Sequence, residues 1–320
     1  MKKRRLGKTK INVSEIGFGC WHIGGDTTIN GLATTYGNID NKIVSKLINA
    51  ALKLGVDTFD TADIYSLGNS EKILGKIFKK NRKDVKIFTK AGGIPTHSKT
   101  TSYEIDLSYH HLIAALDRSL KRLNTDYVDL FQAHAIPTNE LDYMNLEKTF
   151  KKMKKDGKAL YCGVSVGRNY NVGLELINRG IVDTLQIYFS LIDFNAIEKL
   201  LPLAKQKGIG IIAAEPLSQG FLSGKYKINH TFPKTDSRSR YPKKLIHKLL
   251  SKSKKFKIMT RDGMKLNQLA LSYVLNRDEI STCIPSPKNN FQLKSNINSA
   301  QIKLTKSDLE QIEKIQSTFH

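Results

Sequence analysis

Cysteine is scarce in this 320-residue chain: Cys20, Cys162 and Cys283 are the only three, far apart and without a Cys-x-x-Cys pair. That excludes a disulfide framework and a cysteine-rich zinc centre, and it suits a reducing compartment. No metal site is expected. Long apolar runs are missing too. Stretches such as Ile209–Ala214 fall far short of the roughly 20 residues that span a bilayer. The basic start Met1–Lys10 is followed by no apolar segment, so it does not read as a signal peptide. The expectation is a cytoplasmic protein with no membrane partner. Acid is in deficit, with 29 Asp and Glu against 52 Lys and Arg, a net charge of +23. A polyanion partner is one reading of that excess. Only 11 of the basic residues are Arg, the residue favoured for phosphate and base recognition. A lysine-loaded surface explains the charge better. No RNP, zinc-finger or helix-turn-helix pattern supports specific nucleic-acid binding.

What is present is globular: 40% hydrophobic and 25% charged residues exclude a largely disordered chain. Short apolar runs rich in β-branched residues alternate with amphipathic stretches of helical length. A small hairpin reads over Leu6–Val13. Strands follow near 15–20, 56–60, 85–89, 127–132, 159–164, 183–187, 209–214 and 281–285. Helices fall near 40–54, 69–80, 107–123, 140–156, 170–179, 197–207, 264–276 and 289–300. A last helix covers 305–316, with Thr305 as its N-cap. Eight strands, each followed by a helix, predict an α/β fold: a closed (β/α)8 TIM barrel, one domain over 1–320, with an N-terminal β-hairpin and an extra C-terminal helix. A doubly wound sheet is the rival. Its best signature, Gly17-Phe-Gly-Cys-Trp-His22, puts His22 where the third glycine belongs.

In such a barrel the polar residues at strand C-termini are the catalytic candidates. They are Asp60 and Tyr65 after strand two, Lys90 at the end of strand three, and His134 after strand four. Ser165 and Gln186 occupy the ends of strands five and six. A strand-ending Asp is commonly a turn former, and a lone His or Tyr there commonly packs. Four such residues on one rim are harder to dismiss. They also make joint chemical sense. A phenol with a pKa near 10 is a poor acid at neutral pH unless an ammonium such as Lys90 lowers it. Asp60 would keep Lys90 charged, and His134 would orient a carbonyl oxygen. That is a site for protonating an oxygen on which charge develops, and the hydride would have to come from a cofactor.

The stretch Phe59-Asp60-Thr61-Ala62-Asp63-Ile64-Tyr65, with Gly68-Asn69-Ser70-Glu71 after it, resembles the aldo-keto reductases. So do Ile87–Lys90, Ser119–His134, Gly163–Ser165, Gln186, Pro216–Lys225 and Ile284–Asn296, in order along nearly the whole chain. The resemblance implies a barrel that binds NAD(P)H in extended form and interconverts carbonyl and alcohol. It implies a tetrad of Asp60, Tyr65, Lys90 and His134, with Tyr65 as general acid in reduction and base in reverse. Ser165 and Gln186 match positions that hold the nicotinamide carboxamide, and Gly19, Cys20 and Trp21 match the end of the first strand beside the cofactor. Pro216, Leu217, Gln219, Gly220 and Lys225 match the loop along the cofactor. Ser286, Lys288, Gln292 and Asn296 match the 2′-phosphate and adenine region.

Three departures stand out. Val166 replaces an Asn, which removes one bond to the carboxamide. Ala214, followed by Glu215, stands where an aromatic ring stacks on the nicotinamide. Ser286 and Gln292 stand where Lys and Arg hold the 2′-phosphate. Lys288 and Lys294 lie close by, and the local basic charge favours NADP(H) over NAD(H). The segment from Lys234 to Lys257 holds ten Lys or Arg and one acid, Asp236. It reads as a flap over the cofactor pyrophosphate, as an attractor of an anionic carbonyl substrate, or as a solvated loop that charge repulsion keeps partly mobile. A sugar or sugar-nucleotide ketoreductase and a non-catalytic nucleotide-binding barrel are the alternatives. Substrate identity would lie in residues 94–106 and 218–262 and in the C-terminal tail. The reaction direction and the oligomeric state stay open.

Overall fold

The alternation of β-branched runs and amphipathic stretches resolves, in a computed structural model, into one eight-stranded parallel sheet wrapped by helices. Residues 1–25, 27–36, 41–96, 103–260 and 263–319 are described. The sheet strands are β1 (Phe18–Gly19), β2 (Thr58–Asp60), β3 (Lys86–Ala91), β4 (Val128–Ala133), β5 (Ala159–Gly167), β6 (Thr184–Tyr188), β7 (Gly210–Ala214) and β8 (Ile280–Cys283). Each pairs with its chain neighbours. The ring closes where the segment leading into β1 meets β8. There the Gly17 N–H donates to Cys283 O at 2.8 Å and the Cys283 N–H donates to Glu15 O at 3.1 Å. The Gly19 N–H donates to Pro285 O at 3.0 Å one step further on.

Ten helices are present among the described residues: α1 (Asn41–Lys53), α2 (Asn69–Phe78), α3 (Tyr109–Leu123), α4 (Glu140–Lys155), α5 (Tyr170–Asn178), α6 (Leu200–Lys207), α7 (Lys243–Lys255), α8 (Leu266–Leu275), α9 (Asn290–Asn298) and α10 (Lys306–Gln316). Polar caps start several of them. Asn139 accepts from the Asp142 N–H, and Thr305 forms a capping box with Asp308. Such caps are worth about 1 kcal/mol each. Nine of these helices match the sequence expectation within a few residues. Residue 40, expected to start the first, lies outside the described residues, as do 97–102 and 261–262 of the expected specificity loops.

α7 departs from expectation. The basic segment 234–257 is a helix over most of its length, because Ile246 and Leu250 recur one turn apart and are buried. They pack with Phe221, Tyr226 and Phe232 in a small cluster of their own, while most of the lysines stay exposed. Two short hairpins were not expected: Thr28–Ile29 with Leu32–Ala33, and Gly93–Pro95 with Tyr103–Ile105. Strands of two or three residues carry no readable alternation.

The core has two parts. The larger lies between sheet and helices. The smaller fills the barrel, where Phe88, Leu130 and Ile212 meet Leu6, Ile11 and Val13 of the N-terminal hairpin. That hairpin, Lys3–Arg5 with Asn12–Ser14, plugs the bottom of the barrel. It comes very close. At Gly7, with φ +56°, a Cβ would stand 2.3 Å from the Gly210 N, so only glycine fits. The period of two along a strand then dictates what lies above this plug. Two residues past Phe88 comes Lys90, and two past Leu130 comes Gln132. Asp60 and Gln186 join them from β2 and β6. An apolar floor thus carries a polar layer at the C-terminal mouth.

Candidate active site at the barrel mouth

The polar layer is built around one buried ion pair. Lys90 Nζ donates to Asp60 Oδ2 at 2.7 Å, to Thr61 O at 2.8 Å and to the Tyr65 hydroxyl at 3.1 Å. Those three contacts use all the protons of an ammonium. The side chains of Lys90 and Asp60 are 0% and 3% exposed, so each charge survives burial only because the other matches it. The second Asp60 oxygen accepts from Gln186 Nε2 at 2.8 Å and from Gln132 Nε2 at 3.5 Å. Tyr65 enters from a tight turn after β2, in which Ser66 and Leu67 take left-handed φ of +48° and +52°. Its ring meets Trp21 edge-on at 4.9 Å and His134 at 5.7 Å, and Lys90 Nζ lies 4.7 Å from its centroid. Asp60, Tyr65, Lys90 and His134 therefore converge on one point.

The electrostatics differ from the sequence expectation. Burial, and then the Asp60 carboxylate, push the Tyr65 phenol well above its ordinary range instead of down. Burial is the larger cause, and Lys90, paired with Asp60 2.7 Å away, does not reverse it. Burial, and then Lys90, lower His134 to about 3. Tyr65 and His134 are thus both uncharged at neutral pH. Two neutral hydrogen-bonding groups beside an internally compensated ion pair can hold an oxygen and protonate it as negative charge develops.

The remaining expected positions fall into four groups. On the rim, Ser165 Oγ donates to Gln186 Oε1 at 3.2 Å. Trp21 stands against Tyr65, and its Nε1 is buried without a hydrogen-bond partner, as is His134 Nδ1. Gly19 supplies clearance: a Cβ there would lie 2.4 Å from Ser286 Oγ. Pro216, Leu217, Gln219 and Gly220 form a turn beyond β7, with Gln219 at φ +55° and Gly220 at +89°. Lys225, after them, is exposed. Near β8, Lys288 Nζ donates to Tyr36 O and the Lys288 N–H donates to Gln292 Oε1.

Other positions turn inward. The Cys20 side chain is fully buried and its thiol bonds Phe18 O. Asn296 is buried and accepts from Asn267 Nδ2 at 3.2 Å. Val166 is buried against α5, beside Gly173, so it faces the helical layer.

Sequence reasoning missed Gln132, although its parity with Leu130 places it inside the barrel. It also missed a strap. Arg238, part of the basic run read as a flap, an anion attractor or a solvated loop, is 4% exposed. It binds Asp236 through two nitrogens and lies over the rings of Tyr36 and Phe232 at 4.5 and 4.2 Å. The Ser237 N–H donates to Thr35 O at 2.9 Å, which ties the loop after β7 to the loop after β1. No signal in one sequence announces such a long-range pair.

Two observations bear on whether a dinucleotide fits this mouth. Unpartnered polar atoms, Trp21 Nε1 and His134 Nδ1, sit beside Tyr65, and Gly19 leaves room where a Cβ would clash. Both suit a polar ligand held above the ion pair. Among the described residues no group of three or more His, Cys, Asp or Glu could hold a metal ion, and no helix is long and apolar enough to cross a membrane.

Comparison with known proteins adds the context. The model of the Aldo/keto reductase family matches residues 15–317. The chain is 27% identical to the oxidoreductase YqkF of Bacillus subtilis, over 98% of this chain and 96% of that protein. It is 26% identical to the NADH-specific methylglyoxal reductase of Escherichia coli, over 96% of each. The solved holo structure of aldo-keto reductase AKR11C1 from Bacillus halodurans superposes with a TM-score of 0.81 at 26% identity, covering 98% of this chain and 96% of that one.

Proposed function

We infer the roles of these residues from one premise: the chain belongs to the aldo/keto reductase family and is an NAD(P)H-dependent oxidoreductase that interconverts carbonyl compounds and alcohols. Tyr65 is the general acid in reduction and the base in reverse. Lys90 and Asp60 position it, and His134 holds the carbonyl oxygen. The observation that carries this assignment is the Lys90 ammonium, which contacts Asp60 and Tyr65 at once within a sealed layer.

NAD(P)H supplies the hydride when bound. Ser165 and Gln186 would hold its carboxamide, with Gly19, Cys20 and Trp21 beside its ribose. Pro216, Leu217, Gln219, Gly220 and Lys225 would line its pyrophosphate, Cys20 contributing backbone alone because its thiol is buried. Ser286, Lys288 and Gln292 would face its adenosine end, whereas the Asn296 side chain, expected there too, is buried on Asn267. As the hydride reaches the carbonyl carbon, negative charge grows on the oxygen. Neutral His134 steadies that oxygen, and Tyr65 delivers its proton to it. Lys90, hydrogen-bonded to the phenol, then stabilises the phenolate left behind.

NADP(H) is preferred to NAD(H) in this reading, supported by Lys288 and the basic surroundings of β8, although one relative is NADH-specific by name. The compartment is the cytoplasm, supported by three free, buried thiols. A carbohydrate ketoreductase is a narrower form of the same activity. A non-catalytic barrel is disfavoured because all four tetrad side chains converge.

The test is a titration of the protein with NADPH and with NADH, followed by fluorescence of Trp21, the sole tryptophan. Saturable quenching, tighter for NADPH, is the expected result. No quenching by either nucleotide would remove the assignment.

A further inference from the structure

The mouth of the barrel carries a carboxylate that the proposed reaction does not use. Glu215 follows β7 directly, and its φ of +50° is left-handed. A non-glycine residue stays there only where its surroundings hold it, and such positions gather at functional sites. One carboxylate oxygen is fixed: Gln219 Nε2 donates to Oε1 at 2.7 Å. Gln219 is itself held, since the Tyr241 hydroxyl donates to its side-chain oxygen and Arg238 Nη1 donates to its carbonyl at 2.6 Å. The other oxygen, Oε2, is buried and accepts no hydrogen bond.

The nearby cation does not neutralise this group. Arg168 Nη2 stands 3.8 Å from Oε2, but the same guanidinium is ion-paired with Asp193 and lies over the Tyr188 ring at 4.9 Å. One positive charge thus serves two carboxylates. Burial pushes the Glu215 carboxyl above its ordinary value, and the Gln219 hydrogen bond and Arg168 oppose that shift. Ala214, the inward residue just before Glu215 and in register with Tyr188, offers only a methyl group to the mouth. Glu215 also contributes to holding the Tyr65 phenol protonated, so its field reaches the reacting centre.

We propose that Glu215 sets the substrate class of this site: its unpartnered oxygen accepts a hydroxyl of a neutral, polyhydroxylated carbonyl compound, and its charge turns away carbonyl compounds that bear a carboxylate or phosphate. The inference rests on the carbonyl-reductase reading above. It separates the mouth from the surface. The net charge of +23 would draw anions to the molecule, and most lysines of α7 are exposed to do so. Around Glu215 itself two carboxylates share one guanidinium.

The experiment compares kcat/KM for propanal, glyceraldehyde and succinic semialdehyde, with NADPH saturating, in the wild type and in Glu215→Gln. Glutamine keeps the length of the side chain and an acceptor for Gln219, and it removes the charge. The ratio of succinic semialdehyde to propanal should rise about tenfold in the variant, the scale of one like charge at close range in a partly dry site. The ratio of glyceraldehyde to propanal should fall several-fold, and Glu215→Ala should shift both ratios the same way. Identical ratios in all three proteins overturn the proposal. So does a change confined to the NADPH dissociation constant read by Trp21 quenching, because the unpartnered oxygen would then serve the cofactor. A wild type that binds NADPH yet turns over none of the three substrates overturns the reductase reading, and this inference with it.

Discussion

The two sides of the barrel mouth are built on different principles. From β2 to β6 the site is made of inward side chains at strand ends, Asp60, Lys90, Gln132 and Gln186, joined by hydrogen bonds of 2.7 to 3.5 Å. From β7 to β8 it is made of turns and long side chains. Glu215, Ser218 and Gln219 all take positive φ, and Arg238 and Lys288 reach across to the loop after β1. The first side has little freedom, because its groups are tied by hydrogen bonds to one buried ion pair. The second can vary its contacts without unfolding the sheet. Chemistry is placed on the rigid side, and the handles for cofactor and substrate on the variable one. Catalytic groups gain from fixed geometry, and specificity gains from loops.

The largest effect should come from removing the proton donor. Tyr65→Phe deletes one oxygen and leaves the Asp60–Lys90 pair in place. Turnover of an aldehyde should fall by about 10²- to 10⁴-fold, the usual share of a positioned acid. NADPH binding, followed by Trp21 quenching, should stay within a few-fold. Turnover near that of the wild type would break the division between a chemical side and a binding side.

A second break targets the ion pair itself. Lys90→Met leaves the Asp60 carboxylate buried with only amide partners. Leaving one member of a buried pair unmatched costs about 3–5 kcal/mol, so the thermal midpoint should drop by many degrees. Adding Asp60→Asn should recover most of that loss without recovering activity. A double variant as unstable as the single one would mean that Lys90 holds the fold through its bond to Thr61 O and not through charge.

This contrast also decides what one sequence could reveal. The rigid side was legible because each inward residue follows strand parity: Lys90 lies two residues after Phe88, Asp60 ends its strand, and Gln186 lies inside Thr184–Tyr188. Gln132 obeyed the same parity and was overlooked because, unlike Gln186, it matches no position that the resemblance assigns to the cofactor. The direction of the Tyr65 shift was misjudged because Asp60 was weighed only as keeping Lys90 charged, and the burial of the phenol was not weighed. The variable side was largely illegible. Ile246 and Leu250 do carry helical spacing, but lysines crowd the segment and hide it. Arg238 pairs with rings 202 and 6 positions away in the chain, at Tyr36 and Phe232, and no local pattern encodes that.

A smaller effect should appear at the far end of the cofactor path. Lys288→Ala removes an ammonium that now rests on Tyr36 O, next to Ser286. The NADPH dissociation constant should rise about tenfold and the NADH constant far less, because only NADPH offers a phosphate to a point charge. Equal losses for both nucleotides would assign Lys288 to holding the strap after β1 instead.

The finest test is an absence of change with pH. Burial and Asp60 hold the Tyr65 phenol well above its usual range, and burial with Lys90 holds His134 down to about 3. Neither group should change charge between about pH 6 and 9, so kcat for reduction should be flat across that window. Oxidation of an alcohol needs the phenol deprotonated, so its rate should climb with pH through the same range. Stability carries the complementary sign. The His134 imidazole titrates near 6.5 when unfolded and near 3 when folded, so the unfolded chain binds the extra proton first. Its contribution is present above about pH 6.5 and is lost as pH falls toward 3. His134→Gln should remove that part of the acid-side slope in thermal midpoint. A bell-shaped reduction profile with a limb near neutrality that Tyr65→Phe or His134→Gln abolishes would show that the buried pair does not keep its charge from its neighbours, and the rigid side would lose the property that sets it apart.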